Sequence, residues 1–128
     1  MLASAPVAAV VAVSDMERGK EFYEGVLGLQ KSDMDDPGGV LYVCGMDSRI
    51  LVYESQYAGT NEATAASWLV EDIDQTIADL KGKGVTFEQY EMPGVTRDGD
   101  VHVMGDMKAA WFTDPDGNIL NLTSRGSA

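Results

Sequence analysis

The chain of 128 residues carries 21 acidic and 9 basic side chains, and its net charge of −12 argues against binding to nucleic acids or anionic membranes. Apolar residues make up 45% of the sequence, which is enough for the core of one domain. No run of 18 apolar residues predicts a membrane span, and the apolar start lacks the basic residues of a signal peptide. Because the chain has one cysteine, Cys44, and one histidine, we expect a reducing cytoplasm and neither a disulfide framework nor a His/Cys zinc site.

The first half of the sequence predicts a strand, a helix and then further strands. Val7–Val13 is a β-branched apolar run that is typical of a strand. From Met16 to Leu27 the apolar residues recur with helical spacing, and Gly28 stands where such a helix would end. The remaining predictions for this half are a loop over 32–39, two strands at Val40–Cys44 and Arg49–Ser55, and a turn at Gly45–Ser48.

The same order of elements returns in the second half. Ala66–Val70 predicts a strand, and Ile73, Ile77 and Leu80 mark one face of a helix at positions i, i+4 and i+7, before Gly84. The remaining predictions are strands at Val85–Tyr90, Val101–Met104, Lys108–Thr113 and Asn118–Thr123, a loop over 91–100, and a turn at Asp114–Gly117.

Two similar modules therefore make up the chain, one over about residues 5–57 and the other over about residues 63–125. A small polar segment, Tyr57–Thr64, separates them. Neither module can bury its sheet face alone at about 60 residues. We therefore expect the two to pack together as a single domain over residues 1–128, in one chain or across a dimer.

Three segments of the sequence resemble the vicinal oxygen chelate superfamily, which includes glyoxalase I, extradiol dioxygenases, fosfomycin-resistance enzymes and bleomycin-resistance proteins. They are VAVSDMERGKEFYEGVLGL at residues 11–29, LVEDIDQTIADLKGKGV at 69–85 and AAWFTDPDGNILNL at 109–122. The resemblance implies an α+β fold, in which two βαβββ modules form curled mixed sheets around a concave cavity. It also implies a homodimer, sometimes with modules exchanged between chains.

Metal-dependent members of that superfamily hold a divalent cation at four positions, two in each module. Counting from the motifs gives Ala8, Ala65 and Asn121, and aligning RILVYES (49–55) with NILNLTS (118–124) gives Val52 as the fourth position. Three of these side chains have no lone pair, and one neutral amide is a weak ligand. We therefore expect no metal and no other cofactor, although the resemblance carries the fold.

Aromatic and methionine side chains on the strands, and in the segment before the last two strands, suit a flat apolar or aromatic ligand. The amide of Asn121 can orient such a ligand by hydrogen bonds. The alternative is that these side chains only fill the core or a dimer interface, and strand parity already directs Trp68 to the helix side. The candidate ligand-binding residues are Tyr42, Glu54, Tyr90, Met92, His102, Met104, Trp111 and Asn121.

The preferred hypothesis is a protein that binds a small hydrophobic or aromatic molecule without metal. By its resemblance to bleomycin-resistance proteins, the ligand would be a natural-product antibiotic that is sequestered for resistance. The main alternative is a glyoxalase- or dioxygenase-like enzyme that uses Glu54, Glu91 or His102 as an acid or base. A metalloenzyme and a dimeric regulatory module without a small ligand complete the hypotheses.

Overall fold

The computed structural model describes residues 1–34 and 37–125. They form two mixed β-sheets with helices packed on them. The predicted α+β fold with curled mixed sheets is confirmed. Residues 35 and 36 of the loop predicted over 32–39 lie outside the described residues. Within the described part of the chain, the helices are all too short or too polar to cross a membrane.

The first helix begins directly after the first strand, as predicted, but its hydrogen-bond pattern changes along its length. The Asp15 side chain caps it by accepting a hydrogen bond from the backbone N–H of Glu17 at 3.0 Å. Its second half is π-helical, and the N–H of Leu27 donates to the carbonyl of Phe22 at 2.9 Å. The elements are β1 (Ala8–Val13), α1 (Met16–Lys20) and the π-helical segment Glu21–Val26.

The four-stranded sheet contains β1 and three later strands, in the order β1-β4-β3-β2. β1 and β4 are parallel, and the other pairs are antiparallel. The sequence patterns predicted all but β2, which spans only two residues and has no apolar pattern. These strands are β2 (Gln30–Lys31), β3 (Val40–Val43) and β4 (Arg49–Glu54), with a short 3₁₀ turn, Gly45–Asp47, before β4.

The six-stranded sheet comes from the second half of the chain. Its path is β5-β10-β9-β8-β7, and β6 also pairs with β9. Of the predicted strand Val85–Tyr90 only two residues pair, and a short strand lies inside the predicted 91–100 loop. The elements are β5 (Thr64–Leu69), α2 (Ile73–Lys81), β6 (Phe87–Glu88), β7 (Thr96–Asp98), β8 (Val101–Met104), β9 (Met107–Thr113) and β10 (Ile119–Arg125).

One apolar core joins the two halves, and β1 lies beside β5 where the sheets meet. A buried polar network crosses this junction: the Tyr23 hydroxyl donates to Asp114 Oδ2 at 2.8 Å, and Asn118 Nδ2 donates to the carbonyl of Ala12 at 2.7 Å. Burial, followed by the charge of Asp114, raises the pKa of Tyr23. Asp114 also opens the predicted turn, because its carbonyl accepts the N–H of Gly117 at 3.0 Å.

Candidate ligand-binding site

The six-stranded sheet has one face packed against α2 and an opposite face, which we call the open face. Phe112, Leu120 and Leu122 belong to the core on the α2 side and are at most 3% exposed. Trp111 and Asn121 alternate with them along β9 and β10, so they lie on the open face. Cross-strand registers add further residues to that face, namely Ser67, Glu88, His102 and Ala109.

Three rings form a cluster on the open face. The Trp111 ring lies 4.9 Å from that of His102 and 5.4 Å from that of Tyr90, and both contacts are edge-to-face. Tyr90 and His102 are 6.0 Å apart. The indole Nε1 of Trp111 donates to Thr64 Oγ1 at 3.1 Å, which fixes the ring relative to β5. Edge-to-face packing of this kind holds the rings in defined orientations.

An open cleft of about 390 Å³ lies beside this cluster. Glu88, which is in register with Trp111, faces the same side of the sheet. Burial and the negative charge of Glu88 both raise the pKa of the Tyr90 phenol, so this hydroxyl remains a donor at neutral pH. The cleft is lined by Glu62, Ala63, Thr64, Tyr90, Met92, Trp111 and Ile119.

His102 supports the cluster from inside the protein, since it is 0% exposed. Its Nε2 accepts the backbone N–H of Tyr90 at 2.9 Å, which requires that the proton of the neutral ring be on Nδ1. Among the described residues Nδ1 has no hydrogen-bond partner. With the Nε2 lone pair already used, His102 holds the segment that carries Tyr90 and Met92 and is poorly placed to act as a base.

Asn121 lies on the floor of the open face and is 5% exposed. Its Oδ1 accepts the hydroxyl of Ser67 from β5, and its Nδ2 donates to the carbonyl of Ala110 at 3.4 Å. The amide is therefore oriented by two strands. A ligand group that reaches it would have to share or replace these bonds.

The positions that correspond to metal ligands in the resembling superfamily do not form a metal site here. Val10 and Ser67 are equivalent, since each stands five residues before the aspartate that caps the following helix. Val10 pairs with Leu51 and Ser67 pairs with Asn121, so Leu51 is the counterpart of Asn121 in the first module. Val52, which the sequence alignment put there, is 0% exposed in the core, because a one-residue shift reverses the face of a strand. Ala8, Ala65 and Leu51 offer no donor atom. No group of three His, Cys, Asp or Glu side chains suited to a metal ion occurs within 1–34 and 37–125.

Two of the candidate residues lie away from the open face. Tyr42 is fully buried in the core, and its hydroxyl donates to Glu24 Oε2 at 2.8 Å. Burial, with a contribution from Glu24, raises its pKa. The Glu54 carboxylate accepts the backbone N–H of Met16 at 2.9 Å, so it stabilises the N-terminus of α1. The structure therefore does not bring Tyr42 and Glu54 to the cleft, and we leave them out of the proposed site.

The remaining candidates divide around the cleft. Tyr90, Met92 and Trp111 line it, and His102 and Asn121 lie under or beside it. Met104 is half-buried at the end of β8, in register with Met107, and does not line it. Trp68 lies on the α2 side, where it lines an apolar groove with Leu80 and Phe112.

Sequence reasoning missed the residues that complete the cleft. Thr64 binds the Trp111 indole, and Glu62 forms part of the rim. Both come from the segment read only as a polar linker. Glu88 lies opposite Trp111 and Ser67 lies opposite Asn121, and these cross-strand registers are not visible in the sequence pattern.

The comparisons with known proteins agree with this architecture. The chain matches the model of the Glyoxalase/Bleomycin resistance protein/Dioxygenase superfamily over residues 6–122. It belongs to that family. No curated protein matches it.

Several solved structures share the fold over nearly their whole length. A superfamily member from Sphaerobacter thermophilus is 26% identical, with a TM-score of 0.69 over 98% of this chain and 100% of that one. The antibiotic-binding protein TnmS3 from a Streptomyces species is 20% identical, with a TM-score of 0.64 over 96% and 98% of the two chains. The fosfomycin resistance protein FosX from Listeria monocytogenes is 13% identical, with a TM-score of 0.68 over 94% of this chain and 93% of that one. At such identities, the last two establish the fold alone.

Proposed function

We propose that the protein binds a small, flat, apolar or aromatic molecule in the open-face cleft without a metal ion. The observation that carries this proposal is the cluster of Trp111, Tyr90 and His102 beside a cleft of about 390 Å³. That volume is in the range typical of small-molecule sites. Trp111 is half-buried and already oriented by Thr64, so little side-chain entropy is lost when a ring packs against it.

The cleft combines rigid and adaptable walls. The ring of Tyr90 is held edge-to-face on Trp111, whereas Met92 has a flexible thioether side chain that adjusts to an irregular ligand. The Tyr90 hydroxyl and the Glu62 carboxylate supply a donor and an acceptor at the rim. This composition favours a fused-ring or otherwise planar molecule with a few polar substituents.

The specific version of the proposal is sequestration of a natural-product antibiotic. Two considerations support it: TnmS3, a protein of the same fold, is an antibiotic-binding protein, and three metal-ligand positions here carry alkyl side chains. The net charge of −12 also favours cationic drugs at long range, although salt screens this attraction beyond about 8 Å.

The three residues named as acid or base in the enzymatic alternative are each engaged by other groups of the protein. Glu54 accepts a bond from the start of α1, and the Nε2 of His102 accepts one from Tyr90. Glu91, the third candidate, is 87% exposed and pairs with Arg97 at 3.1 Å. These contacts favour binding over turnover.

We further propose that the protein acts as a homodimer in the cytoplasm. Val10 and Leu69, both apolar, are 54% and 72% exposed, which is compatible with cover by a second copy. Light scattering at micromolar concentration tests the dimer, and a mass of one chain would contradict it.

The test of the ligand is a tryptophan fluorescence titration with bleomycin, mitomycin and an anthraquinone, followed by mass spectrometry of the recovered compound. The proposal predicts saturable quenching near one ligand per cleft, with the ligand mass unchanged. A changed mass would indicate an enzyme. The absence of binding to all three probes would remove the support for antibiotic sequestration.

A further inference from the structure

We propose that a second pocket, at the junction of the two sheets, binds the carboxylate of a small organic acid through Arg49. This pocket has a volume of about 210 Å³ and shares no lining residue with the open-face cleft. It therefore goes beyond the proposed function, and neither proposal depends on the other. Its lining includes Ser48 and Arg49 from the first module and Ala66, Ser67 and Trp68 from the second.

Among the described residues that line this pocket, Arg49 is the only basic one, and its charge is poorly matched by the protein. Its Nε atom is buried and has no hydrogen-bond acceptor among the residues that the structure describes. The paired carboxylate is that of Asp47, whose Oδ2 lies 3.7 Å from Nη2, beyond hydrogen-bond distance. Asp47 is 79% exposed, so water screens its attraction for the guanidinium.

A buried donor without an acceptor costs free energy, and proteins rarely retain one without a reason. The Nε–H and Nη2–H bonds of arginine point in the same direction and form a fork that matches the two oxygens of a carboxylate. In Arg49, neither donor of this edge has a hydrogen-bonded acceptor among the residues that the structure describes. A carboxylate that enters the pocket and displaces the atoms covering Nε would satisfy both donors at once.

The rest of the pocket defines the body of the ligand. The hydroxyl of Ser48 already donates to the carbonyl of Gly45 at 2.7 Å, and that of Ser67 donates to Asn121. The guanidinium is thus the main polar group left for recognition, while Trp68 and Ala66 offer apolar contact. The volume restricts the ligand to a single aromatic ring or a short aliphatic chain that carries one carboxylate.

Benzoate is the probe that fits this description, and benzamide is its neutral counterpart of the same shape. The Trp111→Phe protein retains only Trp68, which lines both the junction pocket and the α2-side groove, so its fluorescence leaves out the cleft, and the Arg49 variants assign the signal to the junction pocket. Circular dichroism first verifies that this protein is folded. We expect saturable change of the Trp68 emission with benzoate and an affinity for benzamide at least tenfold weaker.

Arg49→Gln in the same background tests the residue. Loss of the fork is expected to weaken benzoate binding at least tenfold, and Arg49→Lys, which keeps the charge but not the fork, gives an intermediate loss. Lys31→Gln, which removes one positive charge from the exposed β2, is the matched control and leaves the affinity within twofold. Because Arg49 has no firm partner, Arg49→Gln should not lower the melting temperature, whereas loss of a structural arginine would.

Four results would overturn the inference: no response to benzoate at 10 mM in the folded protein, equal binding of benzoate and benzamide, equal binding by the Arg49→Gln protein, or full competition by inorganic phosphate at the same concentration as benzoate. The last result would indicate a general anion site. Because the open-face cleft is assayed through Trp111 with different ligands, failure of one proposal leaves the other standing.

Discussion

Trp111 and Phe112 are neighbours in β9, but they lie on opposite faces of the sheet and have different roles. Phe112 is fully buried in the core that the two modules share, with the rings of Phe22 and Phe87 at 6.5 and 5.5 Å. Trp111 is half-buried beside a cleft and is held by a hydroxyl and two ring edges. Because stability and recognition depend on opposite faces of the strand, their mutational effects should separate as well.

The largest expected effect is on the α2 side. Phe112→Ala should lower the free energy of unfolding by about 3–5 kcal/mol, because it opens a cavity in the common core. Urea denaturation measures the change, and Phe112→Leu should lose less than half as much. A loss below 1 kcal/mol in Phe112→Ala would contradict the assignment of this side chain to the core.

The junction of the modules gives the next effect. Tyr23→Phe removes a buried hydroxyl that donates to Asp114, and a hydrogen bond to a charged group is worth about 1.5–3 kcal/mol. The same denaturation experiment detects it. Tyr57→Phe, which changes an exposed tyrosine, is the control and should alter the unfolding free energy by less than about 0.5 kcal/mol.

On the open face, a substitution should change the ligand affinity more than it changes the free energy of unfolding. Trp111→Ala is expected to weaken ligand binding at least tenfold, or about 1.4 kcal/mol, and to destabilise the fold less than Phe112→Ala does. Calorimetric titration compares it with the wild-type protein. Equal affinity in a folded variant would remove Trp111 from the site.

The smallest effect is electrostatic and lies at the protein surface. The Lys81 ammonium lowers the pKa of the Asp100 carboxyl, which it contacts directly. A lowered pKa in the folded state adds stability above the ordinary value of about 3.9, and this is lost as the pH falls through the folded value. Lys81→Gln should therefore reduce the rise of the unfolding free energy with pH in the acid range by less than about 1 kcal/mol. An unchanged profile below pH 5 would contradict the pairing.

The sequence predicted most of the fold because its signals are periodic and local. The helix face of Ile73, Ile77 and Leu80 is buried as expected, and the turn that begins at Asp114 forms. The short strands β2 and β7 escaped prediction because two or three residues, all exposed, carry no hydrophobic pattern. Their pairing depends on neighbours that are distant in sequence.

The candidate site was harder to predict, for reasons of register. Tyr90, Met92 and Trp111 line the cleft, whereas Tyr42 points into the core although it is also an aromatic residue on a strand. Parity separates the two faces of a strand, but at Tyr42 it did not show which face packs into the core. The alignment that selected Val52 in place of Leu51 was wrong by one residue, which is enough to reverse the face.

Two single-tryptophan proteins, Trp68→Phe and Trp111→Phe, locate the bound ligand when each is titrated with the antibiotic that binds the wild-type protein. The open-face cleft predicts that the protein retaining Trp111 shows saturable quenching with wild-type affinity. It also predicts that the protein retaining Trp68 binds more weakly and shows little quenching. Strong quenching of Trp68 at unchanged affinity, with Trp111 silent, would contradict the account, because the ligand would then bind outside the aromatic cleft.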